Sequence, residues 1–394
     1  MKDPIVIVGL ARTPVGNLLG CFKDITAPQL GSVAIQNAVS RSQIDPQNID
    51  EVIMGCVLPA GLGQAPARQA ALGAGLEKQT GATTINKMCG SGMKAVMLAH
   101  DQILSDAAEI MVAGGMESMT NAPYLALKAR AGYRLGHAEF YDHMCLDGLE
   151  DAYDKGKPMG AFAEMAVQKY GFTREQLDEF ALNSVKRAQK AEANGSFSFE
   201  IAPVTVKTKQ GETIINQDEG PMTAKPEKIP TLKPVFAKDG RITPANSSSI
   251  SDGAAALVLM KQSKAKALGL HPLAMICGHA THAQDPAWFT TAPVGAIQKL
   301  FTKLHWNVKN VDLFEINEAF AVVTMAAMHD LSIPIEKVNI HGGACVLGHP
   351  IGASGARILV TLIAALKQKN LKRGVAALCI GGGEATAMGV EILL

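Results

Sequence analysis

Short apolar runs alternate with longer amphipathic stretches along this chain, and the alternation predicts strands and helices in succession. Apolar, β-branched runs of roughly four to eight residues are typical of buried strands, whereas apolar residues spaced three and four apart predict helices. Strands are predicted at residues 5–9, 51–57, 83–88, 109–113, 254–260, 274–278, 311–316, 338–341, 374–380 and 387–394. Helices are predicted at residues 27–41, 92–105, 162–169, 174–194, 293–304, 319–330 and 352–369. This order favours an α/β protein built from βαβ units.

The later part of the chain repeats the order of the earlier part, with weak but ordered sequence similarity. The matched segments are residues 7–9 with 276–278, 49–52 with 311–314, Asn86 with Asn339, and 114–117 with 382–384. Self-similarity of this kind indicates a duplicated unit. We therefore expect two halves of the same topology.

A long insertion interrupts the first half. In the second half the glycines at 381–383 run directly into the last apolar strand, whereas the equivalent strand at 254–260 is far from Glu117 in sequence. We predict a first core half from residues 1–117 and 251–270, an inserted domain from residues 118–250, and a second core half from residues 271–394. Long excursions from strand ends commonly serve binding.

Composition excludes several classes of protein. The 394 residues carry 37 Lys and Arg against 36 Asp and Glu, and 47% of them are apolar. Such a chain is neither disordered nor a nucleic-acid binder with a basic face, and its apolar runs are shorter than the roughly 20 residues of a membrane-spanning helix. Seven cysteines without a CxxC pair predict free thiols. The first four residues lack a signal-peptide pattern, so we expect a cytoplasmic protein without nucleic-acid or membrane partners.

Cys89 is the first candidate for chemistry. It lies in the run NKMCGSGMKA, where a predicted strand meets a predicted helix. Backbone N–H groups at a helix N-terminus stabilise a thiolate and would lower the pKa of this cysteine. An inert core cysteine is the alternative, because lone cysteines are usually buried. The neighbouring glycines favour a close backbone approach, as an oxyanion or phosphate site requires.

His349 lies in the corresponding turn of the second half, within GHPIGASG. An imidazole is well suited to exchanging a proton with a thiol near neutral pH. A packing or capping histidine is the alternative. If the two turns meet in the duplicated fold, Cys89 and His349 come together.

Two further polar residues lie at predicted strand ends. Cys379 precedes the glycine run at 381–383, a place where α/β sheets carry reactive groups, and a core cysteine is the alternative. Asn317, in EINEAF, could orient a water molecule, and a helix N-cap is an equally good interpretation.

Other histidines have the spacing of metal ligands. These are His279 with His282, and His137 with His143 and Cys145. Neither group has a carboxylate or CxxC partner nearby in the sequence, so we expect them at the surface and predict no metal site.

Together these runs resemble the thiolase family over the full length of the chain. The shared runs are CGSGMKAV at Cys89, GGMES at Gly114, NEAF at Asn317, GHPIGASG at Gly348 and CIGGG at Cys379. The resemblance implies duplicated βαβαβαββ halves in a five-layered α-β-α-β-α core with an inserted loop domain. It also implies a homo-oligomer, commonly a dimer of dimers.

The resemblance implies a two-stage acyl transfer that needs no metal or organic cofactor. Cys89, activated by His349, would take an acyl group from an acyl-CoA. Cys379 would then exchange a proton with the α-carbon of the second CoA substrate. One oxyanion site would comprise His349 and a water held by Asn317, and the other would comprise backbone N–H groups around Cys89 and Gly381.

The resemblance also implies where coenzyme A would lie. Ser248 would contact the pantetheine arm, and Lys225, Lys228 and Lys233 are candidates for the phosphates. The apolar walls would be Leu149, Phe236, Ala319 and Phe320. Met159 follows Pro158, where short-chain members of the family carry histidine, and Phe289 would be the other bulky residue at the acyl pocket.

These residues favour a short acyl chain, and hence the reversible condensation of two acetyl-CoA to acetoacetyl-CoA. A degradative 3-ketoacyl-CoA thiolase of broader chain length remains an alternative. A non-catalytic carrier of CoA or lipid is an alternative of another class. A thiol-based redox protein is disfavoured because no resolving cysteine lies near Cys89 in the sequence.

Overall fold

The computed structural model describes residues 3–209 and 211–393 of the chain. The strands are β1 Ile5–Arg12, β2 Gly16–Asn17, β3 Glu51–Gly55, β4 Gly81–Ile85, β5 Ile110–Ser118, β6 Tyr124–Leu125, β7 Tyr141–Asp142, β8 Val204–Thr208, β9 Gly211–Ile215, β10 Ser251–Lys261, β11 Ala274–Ala283, β12 Leu313–Ile316, β13 Arg373–Ile380 and β14 Glu384–Ile392. The α-helices are α1 Ala27–Ser42, α2 Pro66–Gly73, α3 Ser91–Leu104, α4 Met159–Tyr170, α5 Arg174–Ala193, α6 Glu219–Thr223, α7 Gln262–Ala267, α8 Ala292–Leu304, α9 Ala321–Leu331, α10 Ala344–Leu347 and α11 Ser354–Gln368. None of these described helices is long and apolar enough to cross a membrane.

The main strands follow one hydrogen-bonded order, β12-β13-β14-β11-β1-β10-β5-β3-β4. The two halves of this order join at β1 and β11 through the pairs Val6–Met275 and Ile7–Ala274. Within each half the ladders are longer. Strand β3 is parallel to β4 and β5, and β12 is parallel to β13, whereas β10 and β14 run antiparallel to their neighbours.

Structural details recur in both halves and confirm the predicted duplication. The register of β1 against β10 shifts between Ile7 and Gly9, and that of β11 against β14 shifts between Ile276 and Gly278. A carboxylate also recurs: Asp50 accepts backbone N–H groups at the start of β5, and Asp312 accepts those at the start of β13. An aspartate thus caps the start of the equivalent strand in each half.

Two details of the sequence interpretation are wrong. Residues 338–341 do not form a strand, because only a single bridge joins Val338 to Phe314 and Asn339 has φ of 46° in the left-handed region. Glu117 and Glu384 are not equivalent. Glu117 is the last but one residue of β5 and lies opposite Gly253, whereas Glu384 begins β14, the counterpart of β10.

Three layers of helix enclose the two halves of the sheet. Helices α3 and α11 pack against each other in the middle layer, within a core that includes residues of β1, β11 and β13. Helices α1 and α2 cover the outside of the first half, and α8 and α9 cover the outside of the second half. All residues of α11 from Ser354 to Leu366 are buried, including the polar side chains of Ser354, Arg357 and Thr361, which share one face of the helix. This is the expected α-β-α-β-α arrangement.

The segment between β5 and β10 leaves and returns at one place, because Ser118 at the end of β5 pairs with Asp252 in β10. It carries α4, α5, α6 and the hairpins β6–β7 and β8–β9. Phe162 and Phe180 of this segment share a buried cluster with Phe320 and Cys379 of the second half. The segment therefore covers the strand ends where the predicted site residues lie.

Candidate active site

A cavity of about 910 Å³ lies between the strand ends and the inserted segment. Its walls come from both halves and from the insertion. Nearly all of the sequence-predicted site residues line it, namely Cys89, Leu149, Met159, Lys228, Phe236, Ser248, Phe289, Ala319, Phe320, His349, Cys379 and Gly381. Two sulfurs and one imidazole, far apart in sequence, thus share one chamber.

Cys89 lies between strand β4 and helix α3. The strand ends at Ile85, earlier than expected, and Met88 with φ of 46° reverses the chain before the helix begins. Gly90 permits the close approach, because a Cβ there would lie 2.3 Å from Ile380 Cδ1. The predicted position of Cys89 beside a helix N-terminus is correct.

The expected lowering of the Cys89 pKa is wrong for this site. The pKa of the Cys89 thiol is raised to about 11, chiefly by burial and to a smaller extent by the negative charge of Glu117. Backbone N–H groups of Gly381 and Cys89 itself act in the opposite direction but are outweighed. The resting side chain is a neutral thiol that needs a base.

His349 is placed to be that base. Burial, and then the positive charge of Arg357, lower its pKa to about 3, so the ring is neutral near pH 7. Its Nδ1 lies 2.6 Å from Ser354 Oγ, which donates its own proton to the Pro350 carbonyl at 3.0 Å. Ser354 Oγ therefore accepts from Nδ1–H, and Nε2 keeps a lone pair. Nε2 is buried and has no hydrogen-bond partner among the described residues.

Cys379 ends in the same chamber from strand β13. Its side chain is buried, and the glycines that follow turn the chain away, with φ of 89° at Gly382 and 85° at Gly383. Burial raises the Cys379 pKa well above its usual value, and the charge of a Cys89 thiolate raises it further. The two sulfurs are thus close enough that ionisation of one opposes ionisation of the other.

Asn317 is not among the residues that line the cavity. It lies behind the imidazole, and its Oδ1 accepts from Arg357 Nη2 at 3.3 Å. Its Nδ2 is 3.4 Å from His349 Nδ1, a contact and not a hydrogen bond, because both atoms carry hydrogen in the tautomer that Ser354 fixes. Arg357 in turn faces Glu315 at 3.6 Å. The role of Asn317 in holding a water molecule stays a prediction.

Sequence reasoning missed three residues that support the site. Ser354 and Arg357 lie on α11 behind His349, and Glu117 is the last but one residue of β5 in the other half. Glu117 accepts the N–H groups of Val57 at 2.9 Å and of Gly352 at 2.9 Å, so it ties the His349 turn to the first half. Burial raises the pKa of Glu117 to about 7. Ser354 and Glu117 stand inside the runs GHPIGASG and GGMES, which was the available signal.

The long walls of the cavity are apolar. Phe236 and Phe320 meet edge to face at 6.2 Å between ring centroids, and Leu149 lines the same cavity. The Ser248 N–H donates to the Ala319 carbonyl at 3.0 Å, which fixes the serine backbone there.

The two ends of the cavity differ in chemistry. Met159 borders the reactive end, because a Cβ on Gly381 would lie 3.6 Å from its sulfur. Phe289 is buried and packs against Phe162 at 6.4 Å between ring centroids. Lys225 and Lys228 supply positive charge to the lining, whereas Lys233 is not part of it.

Comparison with known proteins gives consistent matches. Residues 5–263 match the description "Thiolase, N-terminal domain", and residues 270–392 match "Thiolase, C-terminal domain". A probable acetyl-CoA acetyltransferase of Dictyostelium discoideum is 49% identical over 99% of this chain and 94% of the relative. The acetyl-CoA acetyltransferase of Schizosaccharomyces pombe is 47% identical over 99% of both chains.

Solved structures agree with the sequence relatives. The crystal structure of the Bacillus anthracis acetyl-CoA acetyltransferase superposes with a TM-score of 0.97 at 41% identity, covering 100% of this chain and 99% of that one. A thiolase of Ascaris suum in complex with coenzyme A superposes with a TM-score of 0.93 at 39% identity, covering 99% and 100%.

Proposed function

This chain belongs to the thiolase family of acyltransferases, and from that premise we propose that it is an acetyl-CoA C-acetyltransferase. The reaction is the reversible Claisen condensation of two acetyl-CoA to acetoacetyl-CoA and coenzyme A. The observation that carries the proposal is the arrangement of Cys89, His349 and Cys379 around one apolar cavity.

The first stage loads an acetyl group onto Cys89. The Cys89 proton moves to His349 Nε2, and the sulfur attacks the thioester carbonyl of acetyl-CoA. The developing oxyanion is held by the N–H groups of Gly381 and Cys89, each worth about 3 to 4 kcal/mol in such sites. Coenzyme A leaves as its thiolate and takes the proton of Cys379.

The second stage forms the carbon–carbon bond. The Cys379 thiolate removes an α-proton from a second acetyl-CoA, and the resulting carbanion attacks the acetyl carbonyl on Cys89. The Cys89–acyl bond breaks, and the sulfur recovers its proton from His349. Because a Cys89 thiolate would oppose ionisation of Cys379, the Cys379 thiolate forms more readily once Cys89 is acylated and uncharged.

Acetyl selectivity is supported by the bulky residues at the reactive end of the cavity, Met159 and Phe289. A broader 3-ketoacyl-CoA thiolase is the second candidate. It is favoured by a Staphylococcus aureus relative, named a probable acetyl-CoA acyltransferase, that is 44% identical over 97% of this chain and 98% of its own. Thiolysis rates for a series of ketoacyl-CoA chain lengths separate the two, and preference for about ten carbons over four would overturn the acetyl assignment.

Coenzyme A is expected to thread the apolar walls and to place its phosphates near Lys225 and Lys228, which contribute the positive charge of the lining. Incubation with acetyl-CoA, followed by mass analysis of the Cys89 peptide, tests the acyl-enzyme. A mass increase of one acetyl group is expected. Labelling of any other cysteine in its place would contradict the mechanism and leave a carrier role.

A dimer of dimers is the proposed assembly. The β6–β7 hairpin region exposes a set of large apolar side chains with little contact to the rest of the chain, namely Tyr124, Leu127, Tyr133, Leu135, Phe140 and Tyr141. Apolar surface of this extent is typical of an interface between subunits. Light scattering of the wild-type protein should give four times the chain mass, and replacement of Leu135 by Ser should lower it.

A further inference from the structure

Three potential metal ligands meet at a place the acyl chemistry does not use. His100 and Asp101 lie near the end of α3, and His279 lies on β11 of the other half. His100 Nδ1 is 2.9 Å from Asp101 Oδ1, and His279 Nε2 is 3.0 Å from the same oxygen. Among the described residues, these are three ligand atoms that all lie within 4.8 Å of one another. Helix α3 rises about 1.5 Å per residue, so this cluster lies roughly 15 Å from the Cys89 end.

The donor set is that of a zinc-type site. Two imidazoles and one carboxylate are ligands that bind Zn²⁺ at about 2.0 to 2.2 Å, and tetrahedral geometry at that distance places ligand atoms roughly 3.3 to 3.6 Å apart. The two observed separations of 2.9 and 3.0 Å are a few tenths of an ångström shorter, so the side chains need only a small outward movement to admit the ion. The two rings meet edge to face at 5.1 Å between centroids.

Burial and exposure are also suited to an ion. Each imidazole is 12% exposed and therefore held in place, whereas the Asp101 carboxylate is 53% exposed and faces water. Solvent can thus complete the coordination, as in zinc sites with three protein ligands.

The local electrostatics act in both directions. The carbonyl end of α3 carries partial negative charge, which favours a cation at its last turn. Lys303 opposes binding, since its ammonium donates to the His279 carbonyl at 3.3 Å and lies nearby.

We propose that His100, Asp101 and His279 form a binding site for a divalent transition-metal ion of the Zn²⁺ type. The ion would join α3 of the first half to β11 of the second, with water in the remaining positions. Coordination through His100 Nδ1 and His279 Nε2 would place the ring proton of each on its other nitrogen. Sequence reasoning dismissed His279 because its partners lie in the other half of the chain.

Zinc titration of the full-length enzyme tests the proposal, with the thiols first blocked by iodoacetamide so that cysteines do not compete. Calorimetry should detect a Zn²⁺ ion bound per chain. His279→Gln and Asp101→Asn should each weaken its binding by about tenfold or more. The Asp101→Asn variant is expected to fold normally, because that carboxylate is largely exposed, so weaker binding by it would not be a result of misfolding.

The chain offers a matched control. His329 Nδ1 and Asp330 Oδ1 form the same neighbouring pair at 2.9 Å, without a second histidine in the cluster. His329→Gln should bind Zn²⁺ as the wild type does. Zn²⁺ should also raise the melting temperature of the wild type and of His329→Gln, but not that of His279→Gln. Equal binding by wild type and His279→Gln, or no binding by the wild type, would overturn the proposal.

Discussion

The turns before α3 and α11 occupy equivalent places in the two halves, yet they perform different tasks. Each helix begins with a serine. Ser91 Oγ accepts the Lys87 N–H at 2.8 Å and donates to the Met88 carbonyl at 2.6 Å, so it serves only the backbone that presents Cys89. Ser354 Oγ also donates to a backbone carbonyl, but it accepts from the His349 ring. One serine shapes a turn, whereas the other fixes the tautomer of a base.

A duplicated sheet acquires an asymmetric site when its turns change and its strands do not. The strands, the register shifts and the Asp50 and Asp312 contacts stayed alike, because they hold the fold together. The turns diverged at the strand ends, where the backbone is free of the sheet and tolerates change. The two halves therefore share one strand topology but carry different reactive side chains in their turns.

The largest effect is expected from the two cysteines. Cys89→Ala should lower condensation about ten-thousand-fold or more, because no nucleophile remains. Cys379→Ala should lose condensation to a similar extent, yet its Cys89 should still take up an acetyl group from acetyl-CoA, more slowly because the departing coenzyme A thiolate must take its proton from water. Steady-state rates and peptide mass together measure this. Full activity of Cys89→Ala would refute the division of labour.

The two serines should separate function from stability. Ser354→Ala should lower kcat about a hundredfold and change the pH–rate profile, since the His349 tautomer is no longer fixed. Ser91→Ala should chiefly lower the free energy of unfolding by about 1 kcal/mol, because the half-buried Lys87 N–H loses its acceptor. Kinetics across pH and urea unfolding are the measurements. Identical pH–rate profiles for the two variants would contradict the assignment of a catalytic role to Ser354 and a structural role to Ser91.

We expect the stability of the folded chain to fall at low pH because of His341, a residue of the second half. Burial, and then the charge of Lys369, lower the pKa of His341 from 6.5 to about 4. The unfolded chain therefore binds this proton first, and stability is lost as pH falls from about 6.5 towards 4. His341→Gln should remove up to about 2 kcal/mol of the loss at about pH 5. Urea unfolding at two pH values checks this, with the exposed His271→Gln as control.

The smallest effect is expected at the acyl end of the cavity. Phe289→Ala should raise kcat/KM for longer or 2-methyl-branched ketoacyl-CoA about tenfold relative to acetoacetyl-CoA, because one pocket contact discriminates weakly. The rate of Cys89 acylation by acetyl-CoA should change little. Unaltered selectivity would show that other walls set the acyl length.

The reactive residues were predictable because each lies in a local pattern of strand, glycine turn and helix. The internal duplication was enough to predict that Cys89, His349 and Cys379 lie together. The supporting groups were less accessible: Arg357 is a buried cation on α11, and its partners come from other elements. The sign of the Cys89 pKa shift depends on enclosure by the insertion, which no local pattern encodes. The cytoplasmic location stays a prediction.

The buried middle helix has a consequence for biosynthesis. Helix α11 is buried from Ser354 to Leu366, and its neighbour α3 leaves the ribosome more than two hundred residues earlier. Until α11 has been synthesised, the inner side of α3 has no helix to pack against. The nascent chain therefore exposes an apolar helix face to solvent through most of its synthesis. We therefore expect the growing chain to need chaperones during translation, and acyl transfer activity to appear only once α11 has packed against α3.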